Sequence, residues 1–196
     1  MRNDVGATSD AQIRCALHSR LGEQHAHEAD TRIIDELGLC RGQVRVDVVV
    51  VNGLLHGYEI KSDRDSLSRL GAQAEVYGQV LDRATVVVGD RHLSRATELV
   101  PAWWGVLRAR STSAGIRLES VRRGRRNPHR DPRALVELLW LDDAIALLAQ
   151  HDAARGVRGK PRRTVWDRVC EHFALDEIAA AVRDQLKTRT VPRALA

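Results

Sequence analysis

Two apolar periods alternate along the first half of the chain. Residues 10–21 carry Ile13, Leu17 and Leu21 at helical spacing, which predicts an amphipathic helix. Residues 31–37 read as a first strand. Val44-Arg45-Val46-Asp47-Val48-Val49-Val50-Val51 is β-branched and almost wholly apolar, the pattern of a buried second strand, and Asn52-Gly53 is a hairpin signal leading back through Tyr58-Glu59-Ile60-Lys61. Asp63 and Asp65 then offer N-caps to a helix bearing Leu67, Leu70, Ala74, Tyr77 and Leu81, until Asp82 interrupts the pattern. Thr85-Val86-Val87-Val88-Gly89 follows as another buried strand. The predicted order is α-β-β-β-α-β.

The second half reads as a strand at residues 103–107, a turn at 111–115 and a return strand at 116–121. Asp131-Pro132 opens a helix predicted to run through Gln150, with Leu135, Leu138, Leu139, Ile145 and Leu148 as its apolar stripe. Thr164 is the expected N-cap of a helix carrying Val165, Trp166 and Val169, and residues 175–187 make the last helix. The division expected from this pattern is a core at 1–110 and a basic, mainly helical extension at 111–196. Asp176, Glu177 and Asp184 leave the final helix without a basic reading face, so the last helices are expected to cap the core rather than enter a DNA groove.

The chemistry gathers on the predicted hairpin. Side chains alternate along a strand, so Glu59 and Lys61 share one face while Ile60 points to the other. Asp47, embedded in a Val-rich strand, would be costly there without a partner. A two-residue Asn52-Gly53 turn would throw Asp47 to the face opposite Glu59. A three-residue loop, or a bulge at Gly57, brings Asp47, Glu59 and Lys61 together, so an odd loop or a bulge is expected. Gln73 and Tyr77, four apart on the following helix, and Arg69 one turn earlier, would border the cluster with hydrogen-bonding groups. Two carboxylates and one ammonium at a single point suit hydrolysis of a phosphodiester, and hard oxygen donors suit Mg²⁺ or Mn²⁺.

Asp47, Glu59-Ile60-Lys61 and Gln73-Ala74-Glu75-Val76-Tyr77 resemble three motifs of the PD-(D/E)XK nuclease superfamily, especially its RecB-type and small bacterial branches. The resemblance covers the first half of the chain, and one departure is that no proline precedes Asp47. It implies an α/β, restriction-endonuclease-like core with a mixed sheet and a Mg²⁺- or Mn²⁺-dependent endonuclease acting on DNA. Asp47, Glu59 and the Ile60 carbonyl would hold the ion. An early acidic residue would complete the ligands, Glu36 ahead of Glu28 and Glu23. Lys61 would stabilise the transition state or position the attacking water, with Gln73 and Tyr77 orienting substrate or Lys61. The competing readings are a buried ion-pair cluster without catalysis, and a nucleic-acid-binding or protein-interaction module on the same fold.

A formal charge of +5 and a pI near 9.6 fit a polyanionic partner such as DNA. Arg122, Arg123, Arg125 and Arg126 are expected to form one phosphate-tracking loop, and Lys160, Arg162 and Arg163 a second. A homodimer or a protein partner would use the C-terminal helices. Cys15, Cys40 and Cys170 are odd in number and widely spaced, which suggests neither a disulfide framework nor a zinc site. The N-terminus lacks a signal-peptide pattern and no apolar run reaches membrane-spanning length, so a cytoplasmic location without membrane contact is expected.

Overall fold

The computed structural model describes residues 6–189. The apolar stripe of Ile13, Leu17 and Leu21 folds as α1 (Asp10–Gln24). The β-branched runs become β1 (Arg32–Leu39), β2 (Val44–Val51) and β3 (Leu55–Lys61), followed by α2 (Leu70–Val80) and β4 (Arg83–Gly89). The expected α-β-β-β-α-β core is therefore present. A further helix, α3 (Leu93–Leu99), leads to β5 (Gly105–Thr112) and β6 (Gly115–Arg122). The six strands lie in chain order: β1, β2 and β3 run antiparallel, β3, β4 and β5 parallel, and β6 antiparallel to β5.

Both faces of this mixed sheet are covered. On one, α1 packs Ile13, Leu17 and Leu21 onto Val48, Val50, Ile60 and Val87. On the other, Val49, Val51, Val86 and Val88 meet α2 and four C-terminal helices: α4 (Pro132–Val136), α5 (Leu141–Gln150), α6 (Arg162–His172) and α7 (Leu175–Thr188). Val165, Trp166, Val169, Ile178, Val182 and Leu186 join that same apolar cluster, as a helical cap requires. The division expected at residue 110 falls inside β5, and β6 extends the sheet to Arg122.

Several local expectations are corrected. The helix expected over 131–150 breaks at residues 137–140: Leu138 and Leu139 close tight turns onto Leu135 and Val136, and Trp140 turns extended before α5 starts. Thr164 is not an N-cap, because α6 already begins at Arg162 behind Pro161. Asp63 and Asp65 do not cap α2. Asp65 accepts from the Ser62 backbone and hydroxyl, and Asp63 ties the loop after β3 to Thr8.

Asp82, fully buried at the entry to β4, joins the hairpin to the helical cap. It accepts a 2.8 Å hydrogen bond from Leu55 N, forms an ion pair with Arg130 at 2.8 Å, and lies 3.8 Å from Arg126 and from Arg183 of α7. Among the described residues no helix is long and apolar enough to cross a membrane.

Candidate functional site

The hairpin register is the odd one. Val51 pairs with Leu55 and Val48 with Tyr58, leaving the three-residue loop Asn52-Gly53-Leu54 and a register that, carried one step beyond its last pair, sets Asp47 opposite Glu59. Gly57 pairs regularly with Val49 and forms no bulge. The loop closes locally, with Leu54 N donating to Asn52 Oδ1 and Asn52 N to the Leu54 carbonyl.

At Asp47 the sheet loses its regularity on both sides. The pairing of β1 with β2 omits one pair, Glu36 opposite Asp47, and Glu36 sits in the left-handed region at φ 57°. Val48 packs towards α1, yet Val46 packs in the opposite layer, so the strand rotates about Asp47. The paired register of β2 and β3 stops at Val48 and Tyr58. In the opening beyond it, Asp47 Oδ2 accepts a 2.7 Å hydrogen bond from Ile60 N. The carbonyl of an extended residue points to the same side as its N–H, so the Ile60 carbonyl also faces Asp47.

Glu59 and Lys61 face α2, as strand alternation requires. Glu59 Oε1 accepts from Lys61 Nζ and from Gln73 Nε2, both at 2.6 Å, while Oε2 accepts a short hydrogen bond from the Tyr77 hydroxyl. Gln73 and Tyr77 reach one carboxylate because they are four apart on one helical face. Tyr77 is fully buried and stacks on Trp104 at 5.4 Å, which fixes its ring. Burial, together with the charge and hydrogen bond of Glu59, pushes the Tyr77 hydroxyl far above its ordinary range, so it remains a donor. Gln73 Oε1 is buried beside this cluster with no hydrogen-bond partner.

Burial and the charge of Glu59 push the Asp47 carboxyl up to about 7, against the opposing pull of Ile60 N–H, Arg14 and Lys61. His56 does not share this face. It lies two residues before Tyr58 on the α1 side, stacks on that ring at 4.3 Å, and places Nε2 2.9 Å from Thr85 Oγ1 and Nδ1 3.2 Å from the Tyr58 hydroxyl.

Glu36 is linked to Asp47 through Arg14 rather than by a direct contact. Its oxygens face Arg14 at 3.0 Å and Arg45 at 3.8 Å. Among the described residues no three or more His, Cys, Asp or Glu side chains gather in a metal-holding group.

The basic residues separate into three kinds. Arg122 is structural: its guanidinium donates to the Trp104 carbonyl at 2.9 Å and the Pro101 carbonyl at 3.1 Å, bracing the connection between α3 and β5, and burial lowers its pKa. Arg126 is drawn towards Asp82 and Asp176. Arg123 and Arg125 are exposed, but Arg125 N donates to the Trp103 carbonyl at the amino ends of the parallel strands, whereas Lys61 ends β3 at their carboxyl end. The first basic loop thus lies at the far end of the sheet from the acidic pair. Arg69, Lys160, Arg162 and Arg163 are exposed. Arg162 and Arg163 begin α6 rather than extending a loop, and Arg162 stacks 5.5 Å from the centre of the Trp166 ring.

Nothing in the sequence singles out Arg14. It sits next to Ile13 of the apolar stripe, where an arginine on an amphipathic helix is ordinary, yet it reaches across to Asp47.

A family model described as bacteriophage P4 protein cII matches residues 4–194, which takes in the sheet, the acidic pair and the helical cap together. The chain belongs to the bacteriophage P4 protein cII family. Protein cII of Enterobacteria phage P4 itself is 31% identical over 97 residues, covering 50% of this chain and 37% of that protein. The matched stretch thus spans little more than a third of that relative. Among solved structures, Pyrococcus furiosus SfsA in complex with Ca²⁺ is similar with a TM-score of 0.35 and 13% identity, over 59% of this chain and 64% of that one.

Proposed function

We propose that this chain is a divalent-metal-dependent nuclease of PD-(D/E)XK type that hydrolyses phosphodiester bonds in DNA. The observation that carries the reading is the convergence of Lys61, Gln73 and Tyr77 on Glu59, with Asp47 directly across the hairpin. Three separate elements deliver these groups, and the match extends to the expected order of strand, strand and helix.

The donor set fits Mg²⁺ or Mn²⁺. Two carboxylates and a strand carbonyl are hard oxygen ligands, and Mg²⁺ is commonly held by one or two carboxylates with the substrate phosphate supplying more. Burial first, and the nearby charge of Glu59 second, raise the Asp47 carboxyl, and a cation at this point would offset both. The buried Gln73 Oε1 is an acceptor beside the same cluster, suited to a water donor. A cation bound by Asp47, Glu59 and the Ile60 carbonyl supplies Lewis-acid polarisation of the phosphodiester.

The chain's own groups do the rest. Glu59 holds the Lys61 ammonium at 2.6 Å, so this compact charge is presented at the carboxyl end of β3, where a pentavalent phosphorus would need it. Gln73 and Tyr77 keep Glu59 in one rotamer, and neither is required to transfer a proton.

A second reading has its own support. Lys61 and Glu59 are almost wholly buried, with side chains 8% and 2% exposed, as in an ion pair that serves packing alone. On that reading the chain would be a nucleic-acid-binding or protein-interaction module. Labelled linear, nicked, branched and single-stranded substrates with Mg²⁺, Mn²⁺ or EDTA separate the two. Cleavage that needs metal and disappears in Lys61→Ala supports the nuclease, and a wild type inert with every metal and substrate supports the second reading.

A further inference from the structure

Asp47 is contacted from α1 as well as from its own sheet. Arg14 Nη1 donates to the Asp47 main-chain carbonyl at 2.9 Å, and Nη2 to Asp47 Oδ1 at 3.3 Å. The same Nη2 lies 3.0 Å from Glu36 Oε1. Asp10 Oδ1 stands 3.4 Å from Nε, and Asp35 Oδ1 3.7 Å from Nη1. One guanidinium is thus shared among four carboxylates, with its side chain 24% exposed.

The two oxygens of Asp47 are not equivalent. Oδ2 is committed to Ile60 N–H inside the opening between β2 and β3. Oδ1 is the oxygen with freedom to take another ligand, and it is the one Arg14 holds. We propose that Arg14 is the resident countercharge of this carboxylate site, and that a divalent cation binding at Asp47 and Glu59 displaces its guanidinium from Asp47. The inference rests on the metal-dependent reading above and concerns regulation of that same site.

Three features support a displacement rather than a fixed brace. The contact to Oδ1 at 3.3 Å is longer than the usual charge-assisted N–H···O of roughly 2.7–2.9 Å, while the contact to Glu36 at 3.0 Å is tighter. The guanidinium has other partners to keep, because Asp10, Asp35 and Glu36 also lie within 3.0–3.7 Å of it. A fork of five donors can release one acceptor and keep others, which a lysine cannot do as well. A like charge beside Asp47 must also disfavour an incoming cation, so Arg14 sets how much metal the site requires.

The test is Mn²⁺ binding to the full chain, followed by calorimetry and by the electron paramagnetic resonance of free Mn²⁺, with no nucleic acid present. Arg14→Gln is expected to bind Mn²⁺ about tenfold more tightly than wild type, and Arg14→Lys to fall between the two. Arg45→Gln removes a neighbouring exposed charge that pairs with Glu36 at 3.8 Å but does not touch Asp47, and should bind like wild type. In EDTA, Arg14→Gln should melt below wild type, with saturating Mn²⁺ closing the gap. Equal or weaker Mn²⁺ affinity in Arg14→Gln overturns the inference while leaving the metal site standing. Absence of Mn²⁺ binding in both wild type and variant overturns the metal reading together with it. If Arg14→Gln does not fold, Arg14→Lys carries the same comparison.

Discussion

Asp47 and Ile60 are joined by a side-chain-to-backbone hydrogen bond of 2.7 Å at the point where paired register between their strands ends. The carboxylate replaces a carbonyl of the neighbouring strand as the acceptor. Position 47 consequently serves the sheet as well as the site, and the two roles can be separated by substitution.

Asp47→Asn keeps an acceptor for Ile60 N–H and removes the charge. A carboxyl raised on folding from 3.8 to about 7 contributes its full stability below pH 3.8 and loses it as pH climbs through 7. Metal-free wild type should therefore lose stability relative to Asp47→Asn across that window, by up to roughly 4 kcal/mol at pH 8, at about 1.4 kcal/mol for each unit of pKa difference. Urea midpoints at pH 4, 6 and 8 in EDTA measure it. A difference that does not change with pH contradicts the raised pKa.

His56 should tilt the profile the other way. Burial, reinforced by Arg83 and His25, lowers it from 6.5 to about 4, so the folded chain resists the proton that the unfolded chain accepts. Its contribution is complete above pH 6.5 and is lost as pH falls towards 4, at up to about 1.4 kcal/mol per pH unit. His56→Gln should remove this acid destabilisation and leave the opposing Asp47 slope, so that its stability rises as pH falls through that range. Because Asp47 and His56 act with opposite sign between pH 4 and 6.5, the wild type should be flatter there than either variant.

Lys61→Ala should lower turnover by at least about a hundredfold with DNA affinity retained. Removing one partner of a buried pair costs about 3–5 kcal/mol when the other is stranded. Gln73 and Tyr77 still donate to Glu59, so the loss should be less than about 3 kcal/mol. A larger drop in the denaturant midpoint, with no cleavage by wild type, favours the packing role.

Gly57→Ala tests the hairpin register. A Cβ at residue 57 would meet Leu81 Cδ1 at 2.5 Å and Val46 Cγ1 at 3.0 Å, both in the core. Overpacking of this kind costs about 1–3 kcal/mol, read from chemical unfolding. A neutral result would mean that the Leu81 and Val46 side chains are not packed against Gly57 as described.

The arginines should divide by experiment. Arg122→Ala should lower the melting temperature and leave the salt dependence of DNA binding unchanged, since its donors serve Trp104 and Pro101. Replacing Lys160, Arg162 and Arg163 together should flatten that salt dependence, by up to about 0.9 in slope for each phosphate no longer neutralised, with little change in melting. The reverse pattern would restore the phosphate-tracking role to residue 122.

Much of the candidate site was legible because local rules govern it. Strand alternation put Glu59 and Lys61 on one face, helical spacing aligned Gln73 with Tyr77, and an odd loop or a bulge at Gly57 was needed to bring Asp47 across from Glu59, of which the chain uses the loop. What escaped depends on distant partners. Glu36 looked like a ligand by chain order, but its left-handed backbone and the arginines beside it turn it elsewhere. Arg122 looked like part of a phosphate-tracking loop, yet the carbonyls between α3 and β5 claim its donors. The break before Trp140 was hidden because Leu138 and Leu139 continue an apolar stripe even as they turn. Asp82 registered only as an interruption, since nothing local announces Arg130 or Arg183.

That buried aspartate has a consequence for how the molecule comes apart. With no exposure of its own, Asp82 takes its countercharges from residues more than forty positions downstream, and its backbone and side chain both bond Leu55 of the hairpin. A polypeptide ending after β6 would retain the anion and forfeit the cations. Limited proteolysis should accordingly show all-or-none digestion, with no long-lived fragment corresponding to the sheet alone, and heat should melt sheet and cap as one cooperative unit.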